Sequence, residues 1–474
     1  MRLKQDRQGR FDFHRSSLRV TSEHYDRYRA ISAMLDGTPA IVGLVHKEIA
    51  PTLEAVNRRT HRRGRPCRFT TDNVVRLLIC QVIEGLSLRE IVVRVDDSHA
   101  LRWFTRIYDG PMMDYTTLCR LRNAIGDETW KKVNYALAKA AVAAALIGGD
   151  RLRLDTTLVE TNIRWPSDSG LLWDTYRVLC RLIRKGRDVS SGIAEDRRLQ
   201  EKRVKKIQLA IARETAKRKR KDGRVKRLYT ALVGHGEAIL EVAVEAAHCL
   251  GTTAADERAG ITRQSMAQAL SNQMLKFVEL GRRVIDQTRR RVMLGESVPS
   301  TEKVYSIFEP QTELIKRGKA GKEIEFGHMV SLAQVEQKFI TNYQVFARRP
   351  VEPDLLAPAV KHHCRIFGRA PAELSADKGY HRTSAVTQLA ETVDLVAIGR
   401  PRGRAASEDD RVEPSELFKL AQMFRAGIEG SISFLKRAFR MFRCFDRGWA
   451  HYAANVGRIV FGHNLVVLAR LRST

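Results

Sequence analysis

A chain of 474 residues exceeds what one hydrophobic core supports, so two to four structural units are expected. Its 83 Lys and Arg against 54 Asp and Glu leave a net charge of +29, a balance that favours a polyanionic partner held through phosphate contacts. Nucleic acid fits that description, without any implication of sequence specificity. Other classes are excluded: residues 135–147, the most apolar segment, are too few to span a bilayer and are interrupted by Lys139. Residues 1–20 lack the apolar stretch of a secretory signal, so a cytoplasmic location is expected, with no membrane contact. Seven scattered cysteines without a Cys-x-x-Cys pair indicate reduced, mostly buried thiols, not a zinc ribbon or a disulfide framework.

Residues 1–69 are polar and basic at both ends and close on Asn57-Arg-Arg-Thr-His-Arg-Arg-Gly-Arg-Pro66, the composition of a basic arm or linker. From Thr70 the pattern turns helical. Val74, Val75, Leu78, Val82 and Ile83 recur at helical spacing up to Gly85, and Ser87-Leu-Arg-Glu90 is a capping box that opens a second helix at once. Two short helices about a Gly-containing turn suggest helix-turn-helix, with Arg89, Arg94 and Arg102 as its basic surface; a purely structural bundle is the plainer alternative. Helices are also expected over 100–107 and 115–125, and Asp127 reads as the N-cap of a long helix ending at Gly148-Gly149. Residues 70–149 thus read as an all-helical DNA-binding domain.

Residues 151–160 alternate apolar and polar positions in a β-rich run, predicting a strand that ends in Asp155. Residues 169–295 are then almost wholly helical in pattern, an insertion within a domain that covers 150–474. Its middle, 197–227, carries fifteen Lys or Arg against Glu201, Glu214 and Asp222, and Lys217, Arg218, Lys219, Arg220 and Lys221 are the densest part. Like charges at i,i+4 spacing repel unless phosphates neutralise them, so nucleic-acid contact is preferred here over a solvated helix face.

Strands are predicted over 303–308, 326–333 and 339–346, the last two as neighbours joined by a short turn, followed by a helix over 354–367. A strand over 373–377 delivers Asp377, a helix runs to Glu391, and 395–398 is the last strand. A charged loop over 400–414 precedes a helix from 417 to 439, and 449–471 reads as an amphipathic helix.

Asp155, Asp377 and Glu429 stand in distinctive settings on two predicted strands and a helix. Carboxylates gathered from separate elements suit hard divalent cations, and such a cluster can hold the attacking and leaving oxygens of a phosphodiester between two ions. Arg425 and Lys436 lie four residues before and seven after Glu429, on one helix face, where cations can hold flanking phosphates; an ordinary Arg425–Glu429 ion pair is the plainer reading. The order of strands and helices is that of a ribonuclease-H-like α/β fold, in which side chains converge at strand ends.

These residues resemble the DDE transposases of bacterial insertion sequences. Arg425, Glu429 and Lys436 match that group's Arg, three residues, Glu, six residues, Lys signature; Leu154-Asp-Thr-Thr157 and Ala376-Asp-Lys-Gly-Tyr380 look like its two aspartate motifs, and Asn162-Ile-Arg-Trp-Pro-Ser-Asp-Ser169 is similar to a segment of one branch. The tyrosine often found three residues before the arginine is Gln422 here, and the long insertion falls between the two aspartates. The resemblance covers about 70–465. It implies a ribonuclease-H-like mixed sheet and Asp155, Asp377 and Glu429 as catalytic ligands of two Mg²⁺ or Mn²⁺ ions. It further implies Arg425, Lys436 and Arg437 on DNA, cleavage at terminal repeats with transfer into target DNA, and a homodimer or higher oligomer on DNA at the bacterial nucleoid. Two other functions fit the same residues: a catalytically silent DNA-binding repressor or architectural protein, and a repair or recombination nuclease of the same fold.

Of the remaining polar and aromatic residues, His362 and His363 are expected as solvated surface imidazoles, Asp168 as a helix cap, His328 as a satisfied core histidine, and Trp165 and Trp173 as buried aromatics.

Overall fold

The computed structural model describes residues 19–60, 69–108, 110–217, 222–256, 258–316, 323–400 and 415–473. It is a mixed α/β structure whose contacts divide the chain into two units, 1–160 with 328–474, and 161–327.

The first unit begins with α1 (Arg19–Gly37) and α2 (Pro39–Thr60), where an arm or linker was expected. The basic flanks of this segment obscure an apolar face: Tyr28, Ile31, Leu35, Ile41, Val45 and Ile49 are buried in the unit's core. Arg76, fully buried on the next helix, fixes the pair by donating to Ser32 Oγ at 2.9 Å and pairing with Asp36 at 2.8 Å. Five further helices follow: α3 (Thr71–Ile83), α4 (Leu88–Asp97), α5 (His99–Thr105), α6 (Tyr115–Ala124) and α7 (Asp127–Ala143). The Ser87–Glu90 capping box forms as the sequence predicts, and Thr70 with Asn73 makes another. Gly85 supplies the turn between α3 and α4 with φ +61°, a conformation that costs glycine nothing. Asp127 is not the N-cap: Gly126 holds that place, and the Asp127 carboxylate accepts from the Tyr343 hydroxyl at 3.0 Å and pairs with Lys131.

The first strand, β1 (Arg151–Thr161), runs six residues past Asp155 instead of stopping there, because Thr157, Leu158 and Val159 bury their side chains as well. The second unit is helical, as the sequence predicts: α8 (Asp168–Arg187), α9 (Glu201–Thr215), α10 (Asp222–Ala255) and α11 (Ile261–Thr288) share one apolar core. Among the described residues α10 alone has the length and mean hydropathy of a membrane span; its buried face packs on α8, α9 and α11. Residues 303–308, predicted as a strand, are irregular. Gln287 takes the place of a ladder partner there, accepting from the Val304 N–H at 2.8 Å and donating to its carbonyl at 3.3 Å. The strand in this region is β2 (Glu313–Lys316), which pairs antiparallel with residues 324–327. Asp168 does not cap α8, a task that falls to Ser167, and instead meets Arg291 and Gln287. Trp165 is 68% exposed rather than buried.

The remaining strands are β3 (Ile324–Val335), β4 (Ile340–Val345), β5 (Glu373–Ala376), β6 (Leu395–Ile398) and a short β7 (Arg443–Cys444), so 395–398 is not the last. The sheet is mixed: β1 lies between β3 and β5, β6 follows β5 in parallel, β4 pairs antiparallel with β3, and β7 pairs with β1. Among the helices of this half are α12 (Leu356–Phe367), α13 (Thr383–Ala390), α14 (Glu416–Ala438) and α15 (Trp449–Ser473). The last is not amphipathic: residues 452–469 are buried throughout, with α1, α3, α7, α14 and β4 around them. Two of its polar side chains bond the backbone of other elements, Asn464 exchanging two hydrogen bonds with Ile340 and His463 bonding the Lys338 carbonyl. His363 is likewise buried, against the Gly149 carbonyl and stacked on Phe367, contrary to the solvated imidazole expected. His328 is a core residue, edge-on to Trp449 and Tyr452.

Candidate active site

The β1–β5 register builds the centre of the site. Leu154 pairs with Ala376 in parallel, so Asp155, the next residue on β1, and Asp377, the first residue beyond β5, stand side by side. Neighbouring strands lie about 4.8 Å apart, which brings the two carboxylates within direct electrostatic reach. Each aspartate uses one oxygen to accept from the following backbone N–H, Thr156 at 2.7 Å and Lys378 at 2.8 Å. Among the described residues the other oxygen of each has no protein hydrogen bond.

Helix α14 packs across β5 and β6 and brings Glu429 to the same place. Three contacts set its position. Gln422 donates to the Ala397 carbonyl at 2.7 Å and the Ala376 carbonyl at 3.4 Å, at the ends of both strands. Arg153, on β1 two residues before Asp155, donates to the Phe424 carbonyl at 2.5 Å and lies over the Phe424 ring at 4.4 Å. Gln334 on β3 accepts from Arg153 and from Ser431 Oγ, closing a buried network of β1, β3 and α14. Gly427 is required at this crossing, because a Cβ there would overlap the Arg153 guanidinium. Ala421, Ile428, Ser431 and Leu435 form the buried face of α14, while Arg425, Glu429 and Lys436 lie about 100° round the helix.

The electrostatics show how closely the groups are gathered. Burial raises the Asp155 carboxyl from 3.8 to about 6, with the charges of Asp377 and Glu429 adding to the rise and Arg425 opposing it. Burial raises the Tyr380 phenol too, helped by the charges of Asp155 and Glu352, so this ring stays neutral beside the carboxylates. Arg425, 19% exposed, pairs with Glu429 at 3.3 Å, while the Glu429 side chain is 65% exposed.

Glu352 is a fourth carboxylate that the sequence reading missed. It sits in a short 3₁₀ turn before α12, accepts from Thr156 Oγ1 at 2.8 Å, and lies where a Cβ on Gly379 would be. Nothing in Val351-Glu-Pro353 marks it, since only folding places it beside the residue that follows Asp155.

This donor set is all oxygen, which suits Mg²⁺ or Mn²⁺, and its like charges repel until a cation joins them. The arrangement is open: among the described residues no three His, Cys, Asp or Glu side chains stand close enough together to hold a metal ion, and Glu429 leans on Arg425. The chemistry of the donors fits a divalent cation.

The predicted DNA-contacting residues are spread over the molecule. Lys436 is half-buried and Arg437 exposed on the last turn of α14. Arg89 and Arg94 are exposed on α4, with Arg89 stacked on Tyr115 at 4.5 Å, whereas Arg102 is held by Asp96 and backbone carbonyls. In the second unit Lys217 pairs with Glu214 at 2.8 Å. Arg218, Lys219, Arg220 and Lys221, like most of the loop over 400–414, lie outside the described residues. Six cysteines are free thiols among the described residues, three of them buried.

Residues 18–124 match the profile of the family described as Transposase domain (DUF772). The matched stretch corresponds to α1 through α6 and contains none of the three carboxylates. It supports a transposase family. No curated protein and no solved structure gives a significant match.

Proposed function

We propose that the chain is a DDE transposase of the insertion-sequence type, which cuts the ends of its element and joins them to target DNA. The observation that carries this reading is the register of β1 on β5, which sets Asp155 beside Asp377 on two interior strands of a mixed sheet, with Glu429 and Arg425 in the same electrostatic field. The transposase-domain match over 18–124 supports it independently. Parallel β1, β5 and β6 beside antiparallel β3 and β4 are consistent with a ribonuclease-H-like catalytic domain.

Asp155, Asp377 and Glu429 would hold two Mg²⁺ or Mn²⁺ ions, which supply an activated oxygen nucleophile and stabilise the leaving oxygen of an in-line displacement at phosphorus. The protein's own part is positioning and charge. Asp155, with its carboxyl at about 6, is mostly ionised at neutral pH and gives up its last protons easily to an incoming cation. Arg425 neutralises the carboxylates and, with Lys436, can hold the phosphates on either side of the scissile one. Gln422 and Arg153 hold α14 against the strand ends, which limits the space the Glu429 side chain can sweep. Double-stranded DNA, as terminal repeats and as target, is the partner, and pairing of two ends calls for at least a dimer.

The test is a Mg²⁺-dependent cleavage and strand-transfer assay on DNA from the flanks of the protein's own gene, with wild type beside Asp155→Ala, Asp377→Ala and Glu429→Ala. Cutting and joining that vanish in all three variants are expected. Binding without cutting would favour a silent DNA-binding protein, cutting without joining a nuclease, and activity that survives in the variants a different active site.

A further inference from the structure

A second cluster of cations lies in the first unit, away from the carboxylates. Arg89, Arg122, Arg440, Arg443 and Arg458 line one cavity of about 460 Å³ between the α3–α4 turn and the segment that follows α14. Among the described residues the carboxylates these arginines meet are fewer: Asp446 pairs with Arg122 at 2.9 Å and Arg458 at 3.4 Å, Glu160 holds Arg443 at 2.5 Å, and Glu90 feels the charge of Arg440. Among the described residues this recess gathers more guanidinium groups than carboxylates, an arrangement that an anion would complete.

Two features sharpen this. Arg458, 4% exposed, keeps an Nε–H with no partner among the described residues, a buried donor that the fold leaves unused. Arg440 adopts φ +58° just past the end of α14, a place where glycine is the usual residue. Its side chain is therefore kept against the preference of the backbone. That side chain donates to the Gly85 carbonyl at 3.1 Å and lies over Phe445, a ring that is 51% exposed on the cavity wall.

We propose that this pocket binds a backbone phosphate of nucleic acid, with Arg440 and Arg89 as its exposed contacts and Arg458 as its buried one. The cavity exceeds the volume of a lone phosphate and offers an aromatic wall, which suits a nucleotide unit within a strand better than a free ion. The proposal rests on the nucleic-acid reading of the chain and extends it. From Glu429 α14 runs on to Ala438, about 14 Å along its axis, and Arg440 follows two residues later, so a strand that passes the carboxylates has the pocket within its reach.

The experiment is a fluorescence-anisotropy titration of the full chain against a short fluorescein-labelled duplex, from about 50 to 200 mM salt. Wild type is compared with Arg440→Gly, which relieves the backbone, and with Arg440→Gly combined with Arg89→Gln. Loss of Arg440 is expected to weaken binding about tenfold, and each arginine lost is expected to flatten the salt dependence by about one unit of slope. The melting temperature of Arg440→Gly should equal or exceed that of wild type, and Arg89→Gln alone, on an exposed helix face, provides a variant that folds regardless. Equal affinity and slope in wild type and all variants would overturn the pocket while leaving the nucleic-acid reading intact. Inorganic phosphate is titrated separately by thermal shift. If it stabilises wild type but not Arg440→Gly, while duplex affinity is unchanged, the occupant is a small anion and the proposal fails. A wild type that binds no duplex at any salt would bring down the nucleic-acid reading itself, and the pocket with it.

Discussion

Asp155 and Asp377 each stand one residue beyond the paired positions Leu154 and Ala376 of neighbouring parallel strands. Two acidic groups that are 222 residues apart in the chain thereby stand together, Asp377 exposed and Asp155 largely buried, and the cost of that burial shows in the Asp155 carboxyl, raised from 3.8 to about 6.

That cost should be measurable. The folded chain keeps the Asp155 proton where the unfolded chain has released it, so this group makes stability fall as pH rises from about 4 to about 6, and the loss persists above that window. Asp155→Asn is expected to be more stable than wild type by about 2 kcal/mol at neutral pH and equal to it near pH 3.5. Urea denaturation across pH checks this; parallel curves for the two proteins would show that Asp155 is not strained.

Arg425 opposes the rise at Asp155, so its removal should push that carboxyl further up. For Arg425→Gln the acid limb of the cleavage profile is expected to move to higher pH, beyond an overall fall in rate. An acid limb unmoved at reduced rate would limit Arg425 to phosphate contact.

Gly427 faces the Arg153 guanidinium at the crossing of α14 and β1. Gly427→Ala is expected to destabilise the protein by about 1–3 kcal/mol through overpacking. Because α14 would also shift, cleavage should fall more than the loss of folded protein explains. Denaturation curves and rates measured on the same samples separate the two effects.

Arg76 joins α1, α3 and α5 through Asp36, Asp72, Ser32 and the Phe104 carbonyl, and is fully buried. Arg76→Met would leave two carboxylates without their shared cation, at an expected cost of about 3 kcal/mol. Protease sensitivity confined to the N-terminal helices, or a lowered denaturation midpoint, reports it; an unchanged midpoint would mean that Arg106, which also pairs with Asp36 and Asp72, suffices.

Much of this protein is legible from local chemistry. The Ser87–Glu90 cap, the helices over 115–125 and 417–439, the β3–β4 hairpin and the strands before Asp155 and Asp377 all follow from periodicity and end signals that neighbouring residues enforce. Where a distant group overrode those signals, the sequence misled. Gln287 satisfies the backbone of Val304 and dissolves a predicted strand. The core around Arg76 draws 19–60 out of an apparent linker, and α15, whose polar residues suggest an outward face, is buried from 452 to 469 because Asn464, His463 and Arg458 find partners inside.

Asp155, Asp377 and Glu429 with Arg425 and Lys436 could be picked out as candidates because each stands in its own short motif. Glu352, Arg153 and the arginine pocket could not, since their meaning lies in partners far along the chain: Thr156, Phe424, and the turn at Gly85. Sequence determined the chemistry on offer, element by element. Only the tertiary structure decided which charges meet, because the strength of an electrostatic contact depends on distance and burial, and neither is written in the spacing of residues.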